Sequence, residues 1–222
     1  MRTQTKDIQT HLTPEKALDI LVEGNRRFVS NLRVNRNLLQ QVNETATGQY
    51  PFAIVLSCID SRTSAELIFD QGLGDIFSVR VAGNVVNEDI LGSMEFACQV
   101  AGSKLIVVLG HSKCGAVKGA CEHVHLGHLT GLLSKIGPAV HEVEQAGGAD
   151  LSPAEFVEKV ALENTRQQMR AILERSPILE HLFKDGKIGI VGAMYSVESG
   201  EVAFFEQAFQ TPAPAAEMAA AR

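Results

Sequence analysis

Residues 52–62 read FAIVLSCIDSR, a continuous apolar run that ends in a short polar segment containing a cysteine. Comparable runs recur along the chain, and segments with the apolar spacing of helices lie between them. Apolar runs without polar alternation are typical of strands that are buried on both faces. Because strands that alternate with helices form right-handed crossovers, the pattern predicts an α/β fold with a mostly parallel central sheet flanked by helices. The predicted parallel strands are 52–56, 76–81, 105–109 and 187–191.

Helical spacing and turn residues predict the remaining elements. The first helix is expected to begin after Thr13 as N-cap, with Pro14 at its first position. The tripeptide ESG at 198–200 separates two apolar runs, which predicts a terminal hairpin whose second strand, 202–205, is an antiparallel edge strand. The predicted helices are 14–30, 87–100, 130–145 and 153–173.

A single domain spanning residues 1–222 is expected, since a chain of 222 residues can bury one substantial hydrophobic core without disulfides. Residues 1–50, of which 31–50 are polar without a clear period, are expected to form a helical arm. Residues 51–210 are then the α/β core. The Ala- and Pro-rich stretch 211–222 is expected to be a disordered tail.

The net charge of -6 argues against a nucleic-acid partner, because neutralising phosphates requires clusters of Lys and Arg. No apolar stretch reaches the ~18 residues that cross a bilayer, so no membrane partner is expected. The N-terminal residues lack the apolar segment of a secretory signal, which favours a cytoplasmic location. In that reducing compartment the four cysteines are expected to be thiols or metal ligands rather than disulfides.

Two cysteines and a histidine follow two of the predicted strands. Cys58 comes just after the strand 52–56, and His111 and Cys114 come just after the strand 105–109. Neighbouring parallel strands would bring the three side chains to one point, where two thiolates and an imidazole favour zinc and leave a fourth position free. The alternative is that both cysteines are small apolar residues packed at strand ends.

Asp60 and Arg62 share a face of the extended segment that follows Cys58, so their charged groups can converge with the thiolate. A carboxylate this close to zinc would tend to occupy the fourth position, and we expect Arg62 to hold it away through a bidentate pair. Asp60 would then orient a hydroxide formed on the zinc, or act as the fourth ligand in a closed state. The alternative is a surface ion pair that contributes about 0–1 kcal/mol.

Four motifs, in this order, resemble those of the β-class carbonic anhydrases: CIDSR at 58–62, GDIF at 74–77, RVAGN at 80–84 and GHSKCGA at 110–116. The resemblance extends over about residues 14–205. It implies one zinc ion per chain, held by Cys58, His111 and Cys114 beside the Asp60–Arg62 pair. It also implies an enzyme that reversibly hydrates carbon dioxide to bicarbonate and a proton with zinc-bound hydroxide, assembled as a homodimer or homotetramer.

The same resemblance implies a set of substrate-binding residues. Gln49 resembles the glutamine with which plant-type members bind substrate oxygen, and Phe77, Ala82 and Phe96 fall where such members have apolar pocket residues. The alternatives are a solvated Gln49 and core packing of the other three. Val55 stands where the allosteric bacterial members have tryptophan, so bicarbonate inhibition through that site is not expected.

Two other functions remain open at this point. Enzymes similar to this family hydrolyse carbon disulfide or carbonyl sulfide on the same zinc site. In the other alternative the zinc is structural and the protein is a non-catalytic assembly module. Arg62 argues against that alternative, since an Asp60 that coordinated zinc permanently would not need a partner to draw it off.

The other cysteines and histidines are assigned no catalytic role. Cys121 with His123, His125 and His128 forms a dense cluster in the sequence, for which a partly solvated turn is favoured over a second metal site. Cys98 lies inside a predicted helix, where a buried and inert thiol is expected.

Overall fold

The structure is a computed structural model that describes residues 3–205. Within these residues five strands form one sheet: β1 Ala53–Ser57, β2 Ile76–Arg80, β3 Leu105–His111, β4 Gly189–Tyr195 and β5 Val202–Phe204. Their order across the sheet is β2-β1-β3-β4-β5. All neighbouring strands are parallel except β4 and β5, which are antiparallel. The α/β fold class and the antiparallel edge strand are therefore confirmed.

Helices precede, connect and follow the strands. They are α1 Lys6–His11, α2 Pro14–Val29, α3 Leu38–Thr45, α4 Ala65–Ile68, α5 Glu88–Glu95, α6 Gly115–Cys121, α7 Gly127–Leu133, α8 Gly137–Gln145, α9 Pro153–Arg175 and α10 Pro177–Lys184. A π-helical turn, Phe96–Val100, continues α5, and 3₁₀ turns occur at Ala82–Asn84 and Gly148–Asp150. None of the helices within residues 3–205 combines the length and apolarity needed to cross a membrane.

Alternate residues of the central strands enter two separate cores, one on each face of the sheet. On one face Ile54 packs in a cluster with Ile172 of α9 and Leu179 of α10. On the other face Val55 packs in a cluster with Leu21 of α2. Every residue of β1 and of β3 is buried, which explains why both strands are continuous apolar runs in the sequence.

Most predicted helices form near their expected positions. The Thr13 side chain accepts a hydrogen bond from the backbone of Lys16, and Pro14 begins α2 as expected. The predicted helix 130–145 is wrong as a single helix, because α7 ends before Pro138 and α8 begins beside it. Proline lacks the N–H that would continue a helix through this point.

The predicted arm contains α3, in a segment where the sequence shows no helical period. Gln41 of this helix is buried, and its side-chain oxygen accepts a hydrogen bond from the backbone of Leu73 at 3.2 Å. Tertiary contact therefore stabilises a helix too short to be stable alone. The division of the chain into arm, core and tail stays a prediction, and the tail at 211–222 lies outside the described residues.

The register of the sheet determines where the candidate ligands lie. Ser57, at the end of β1, is opposite Leu109 of β3 and Arg80 of β2. The segments that follow β1 and β3 therefore leave the sheet side by side at its carboxyl edge. Cys58 and His111 lie at this edge, where ligand sites of parallel sheets are expected.

Candidate metal centre

Cys58, His111 and Cys114 converge at the carboxyl edge of the sheet. Cys58 directly follows β1, His111 is the last residue of β3, and Cys114 immediately precedes α6. The two sulfur atoms are 4.0 Å apart, and the candidate ligand atoms of the three side chains all lie within 4.8 Å of one another. Two thiolates on a tetrahedral zinc, with Zn–S bonds of about 2.3 Å, would be about 3.8 Å apart. The spacing of the sulfurs fits this metal.

One ring nitrogen of His111 has a hydrogen-bond partner, and the other has none among the described residues. Its Nδ1 lies 2.9 Å from the carbonyl oxygen of Ser112, which selects the tautomer that donates from Nδ1. Its Nε2 is buried and has no hydrogen-bond partner among the described residues. A buried nitrogen without a partner costs free energy, and a metal ion bound at Nε2 would remove that cost. The residues therefore fit a zinc ion held by two sulfurs and one nitrogen.

The two thiols share their protons unequally. The hydrogen bond with Cys114 lowers the pKa of Cys58, against the opposing effect of burial. The backbone N–H of Gly83, which lies 3.4 Å from the Cys58 sulfur, supports the thiolate further. The pKa of Cys114 is raised because its thiol is the donor to Cys58 and is itself buried. The contacts of Cys58 therefore favour its thiolate, the form that binds metal.

Asp60 and Arg62 form the bidentate pair that the sequence predicts. Arg62 Nε donates to Oδ1 of Asp60 at 2.9 Å, and Nη2 donates to Oδ2 at 2.7 Å. The backbone N–H of Arg62 also donates to Oδ1 at 3.0 Å. These hydrogen bonds hold the pKa of Asp60 far below its usual range, so the carboxylate is ionised. Among the described residues, the cluster of candidate ligand atoms does not include Asp60.

Arg80 and Thr63 hold the turn that carries Cys58 and Asp60. Arg80 donates from Nε to the carbonyl of Cys58 at 3.0 Å and from Nη2 to the carbonyl of Asp60 at 2.6 Å. The Thr63 hydroxyl lies 2.9 Å from each of the same two carbonyl oxygens. Neither residue is predicted to have a role from the sequence. The signals for Arg80 are its place at the start of the RVAGN motif and at the end of β2, the strand beside β1.

The four predicted substrate-binding residues are not all brought together in one chain. Ala82 precedes Gly83, which contacts Cys58, so Ala82 lies beside the candidate metal site. Gln49 is exposed and lies before β1, so the five residues of that strand, at about 3.3 Å each, separate it from Cys58.

Phe77, on the edge strand β2, contacts Phe96, the first residue of the π-helical turn. Their rings meet edge to face, with centroids 6.2 Å apart. Both line a cavity of about 630 Å³, and none of the three candidate zinc ligands lines that cavity. Within a single chain these aromatic rings therefore lie apart from the metal site.

The remaining cysteines and histidines do not form a second cluster of metal-ligand geometry within residues 3–205. His123, His125 and His128 are exposed, and Cys121 is half-buried at the end of α6. Burial raises the pKa of Cys121 to about 11 and that of Cys98 to about 12. Neither thiol belongs to a group of three candidate ligand atoms within the described residues, so neither is part of a candidate metal site.

Comparison with known proteins gives concordant matches. A family model described as carbonic anhydrase matches residues 53–202, a range that includes all three candidate ligands. Carbonic anhydrase 2 of Mycobacterium tuberculosis is 36% identical over 195 residues, which cover 84% of this chain and 90% of that protein. The β-carbonic anhydrase CafA of Aspergillus fumigatus is 26% identical, with a TM-score of 0.69 over 85% of this chain and 90% of that chain. A tetrameric β-carbonic anhydrase from Sordaria macrospora has the same fold, with a TM-score of 0.69 at 22% identity over 75% of this chain and 90% of that chain.

Proposed function

Because this chain belongs to the β-class carbonic anhydrase family, we propose that its reversible hydration of carbon dioxide to bicarbonate takes place at one zinc ion held by Cys58, His111 and Cys114. The observation that carries this proposal is the convergence of two sulfurs with a buried imidazole whose Nε2 has no partner among the described residues. Three protein ligands leave one tetrahedral position for water or substrate, as in catalytic rather than structural zinc sites.

When bound, zinc supplies a hydroxide nucleophile near neutral pH by lowering the pKa of water. The side chains around it determine how that nucleophile is oriented. Asp60 is ionised and would accept a hydrogen bond from the attacking oxygen, which would orient that oxygen toward the carbon of carbon dioxide. Arg62 occupies both oxygens of Asp60, so the carboxylate does not take the open position.

The substrate-binding residues act across a subunit interface in this proposal. Gln49, Phe77 and Phe96 are separated from the metal site of their own chain, and Phe96 is 53% exposed. They would complete the site of a second copy in a homodimer or homotetramer, with the Gln49 amide donating to a substrate oxygen. The tetrameric assembly of the Sordaria macrospora relative supports an oligomer. Ala82, the neighbour of Gly83, would line the site of its own chain.

A cytoplasmic location completes the proposal. The four cysteines are free thiols, and two of them would bind the metal as thiolates. A reducing compartment keeps such thiols available, whereas an oxidising one would favour a disulfide between Cys58 and Cys114.

Replacement of Asp60 by asparagine tests the proposed function. We expect carbon dioxide hydration to fall by about 100-fold or more while zinc content is unchanged, because a neutral side-chain amide does not accept the hydrogen bond as a carboxylate does. The measurement is stopped-flow hydration between about pH 6.5 and 9, with zinc determined on the same samples. Asp19→Asn, which changes an exposed carboxylate on α2, is the matched control.

Two outcomes would contradict the proposed role of Asp60 or the proposed reaction. Equal activity of Asp60→Asn and Asp19→Asn would remove Asp60 from the reaction. Zinc-loaded wild type without hydration at any pH would overturn the assignment of the reaction to this site. Carbon disulfide and carbonyl sulfide are then the next substrates to test on the same samples, and inactivity with all three would leave a zinc-binding assembly module.

A further inference from the structure

The peptide bond between Ser112 and Lys113 connects His111 to a carboxylate on another element. The carbonyl oxygen of this peptide lies 2.9 Å from Nδ1 of His111, which donates to it. The N–H of the same peptide donates to Oε1 of Glu158 at 2.7 Å. Glu158 belongs to α9, forty-five residues further along the chain. One planar unit thus accepts from the imidazole on one side and donates to the carboxylate on the other.

The backbone around this peptide is unusual and is fixed on both sides. Lys113 has a φ of 55°, in the left-handed region that residues with a Cβ rarely adopt. The preceding N–H, that of Ser112, donates to the carbonyl of Tyr195 at 2.9 Å. The Ser112 hydroxyl accepts from the N–H of Val197 at 3.0 Å. Within the described part of the chain the Lys113 N–H donates to Glu158, so this carboxylate fixes the direction of the peptide plane.

We infer that Glu158 is a positioning residue for the metal ligand His111 and acts through the Ser112–Lys113 peptide. The inference rests on the proposed function, in which His111 Nε2 binds zinc. By holding the N–H, Glu158 keeps the carbonyl directed at Nδ1, and the imidazole then presents Nε2 to the two sulfurs. Metal-binding histidines commonly donate their second N–H to a carboxylate or a carbonyl, and such partners change metal affinity about 10–100-fold.

The charge of Glu158 adds a second effect. Hydrogen bonds to a carboxylate are stronger than those between neutral groups, and a hydrogen-bonded peptide is polarised by the bond. Polarisation by Glu158 makes the Ser112 carbonyl a better acceptor, which strengthens its hold on the imidazole.

Glu198, in the turn between β4 and β5, provides a matched control that contacts the same residue. Its carboxylate accepts from Nζ of Lys113 at 2.6 Å, and both side chains are more than half exposed. Glu198 therefore contacts the same residue as Glu158 and carries the same charge, but it bonds the Lys113 side chain and not the peptide. Removal of the Glu198 carboxylate changes the local charge as much as removal of the Glu158 carboxylate does. It leaves the hydrogen bonds of the Ser112–Lys113 peptide to His111 and Glu158 intact.

The test is zinc affinity, measured by competition with a chromophoric chelator on the full chain and three variants. We expect Glu158→Ala to raise the dissociation constant about 10–100-fold. We expect Glu158→Gln, which keeps an acceptor oxygen but removes the charge, to raise the dissociation constant less than Glu158→Ala does, and Glu198→Ala to stay within about threefold of wild type. The visible spectrum of the cobalt(II)-substituted protein should change in Glu158→Ala and be retained in Glu198→Ala, because it reports the orientation of the ligands. Thermal unfolding of the metal-free variants verifies that each is folded.

The inference fails if Glu158→Ala binds zinc within threefold of wild type, or if Glu198→Ala weakens binding as much as Glu158→Ala does. If Glu158→Ala does not fold, Glu158→Asp takes its place under the same criterion, because the shorter side chain withdraws the carboxylate from the Lys113 N–H. Wild type that binds no zinc would instead overturn the proposed metal site itself. The two failures are therefore distinguishable.

Discussion

Replacement of Cys114 by serine is expected to remove bound zinc and, with it, measurable carbon dioxide hydration. The variant retains only Cys58 and His111 of the candidate ligands, and a serine hydroxyl is a far poorer ligand than a thiolate. The zinc affinity should therefore fall by several orders of magnitude. Because the Cys114 side chain does not cap α6, the substitution removes a ligand without removing a helix cap.

Cys121→Ser is the matched control for this prediction. Cys121 ends the same helix, is half-buried, and lies outside the cluster of ligand atoms. Zinc content by atomic emission and stopped-flow hydration should both match wild type in this control. Full zinc occupancy and activity in Cys114→Ser would show that the metal is held elsewhere.

Replacement of Asp70 by asparagine is expected to lower the free energy of unfolding by about 3 kcal/mol. Asp70 is buried, and its carboxylate accepts from Arg36 and, at 2.6 Å, from Nε of Arg27. The backbone N–H of Val34 donates to it as well, at 3.2 Å. These contacts connect α2 and the segment after it to Asp70, which follows α4. Removing the Asp70 charge leaves Arg27 and Arg36 without its opposite charge. Breaking a buried ion pair by removing one partner lowers the free energy of unfolding strongly.

Asparagine tests the charge of Asp70 and not its backbone conformation. Asp70 has a φ of 46°, and asparagine tolerates this left-handed region better than most residues. Asp185→Asn is the control, since Asp185 pairs with Lys187 on the surface at 2.9 Å and should contribute less than about 1 kcal/mol. Urea unfolding of the metal-free proteins at pH 7 provides the comparison. A loss at Asp70 no larger than that at Asp185 would contradict the prediction.

The effect of Asp70 should also depend on pH. Burial alone would raise the pKa of this carboxyl, but hydrogen bonds from Arg27, Arg36 and the Val34 N–H outweigh it and lower the pKa. A carboxyl with a lowered pKa stabilises the fold above its unfolded value of about 3.9, and this contribution is lost as the pH falls through the folded pKa. The difference between wild type and Asp70→Asn should therefore narrow in acid.

The sequence predicted the convergence of the candidate metal ligands because that convergence follows from topology. Cys58 ends one buried apolar run and His111 ends another, and neighbouring parallel strands bring their carboxyl ends together. The register confirms this placement, with Ser57 opposite Leu109. Residues that follow a clearly apolar strand can therefore be assigned to the carboxyl edge of the sheet from a single sequence.

The supporting contacts could not be predicted in the same way. Glu158 reaches the site through a backbone N–H, and Arg80 holds the turn through backbone carbonyls. Such contacts leave no pattern of side-chain types, because the partner is the peptide common to all residues. The break between α7 and α8 could be predicted locally, because Pro138 lies at the start of α8. Helix α3 could not, because it depends on the tertiary contact of Gln41 with Leu73.

Zinc X-ray absorption on the zinc-loaded wild-type protein tests directly whether zinc is held by Cys58, His111 and Cys114 together. We expect two sulfur neighbours at about 2.3 Å and two nitrogen or oxygen neighbours at about 2.0–2.1 Å, of which one has the outer-shell scattering of imidazole. A zinc environment without sulfur, or with one sulfur, would contradict this prediction.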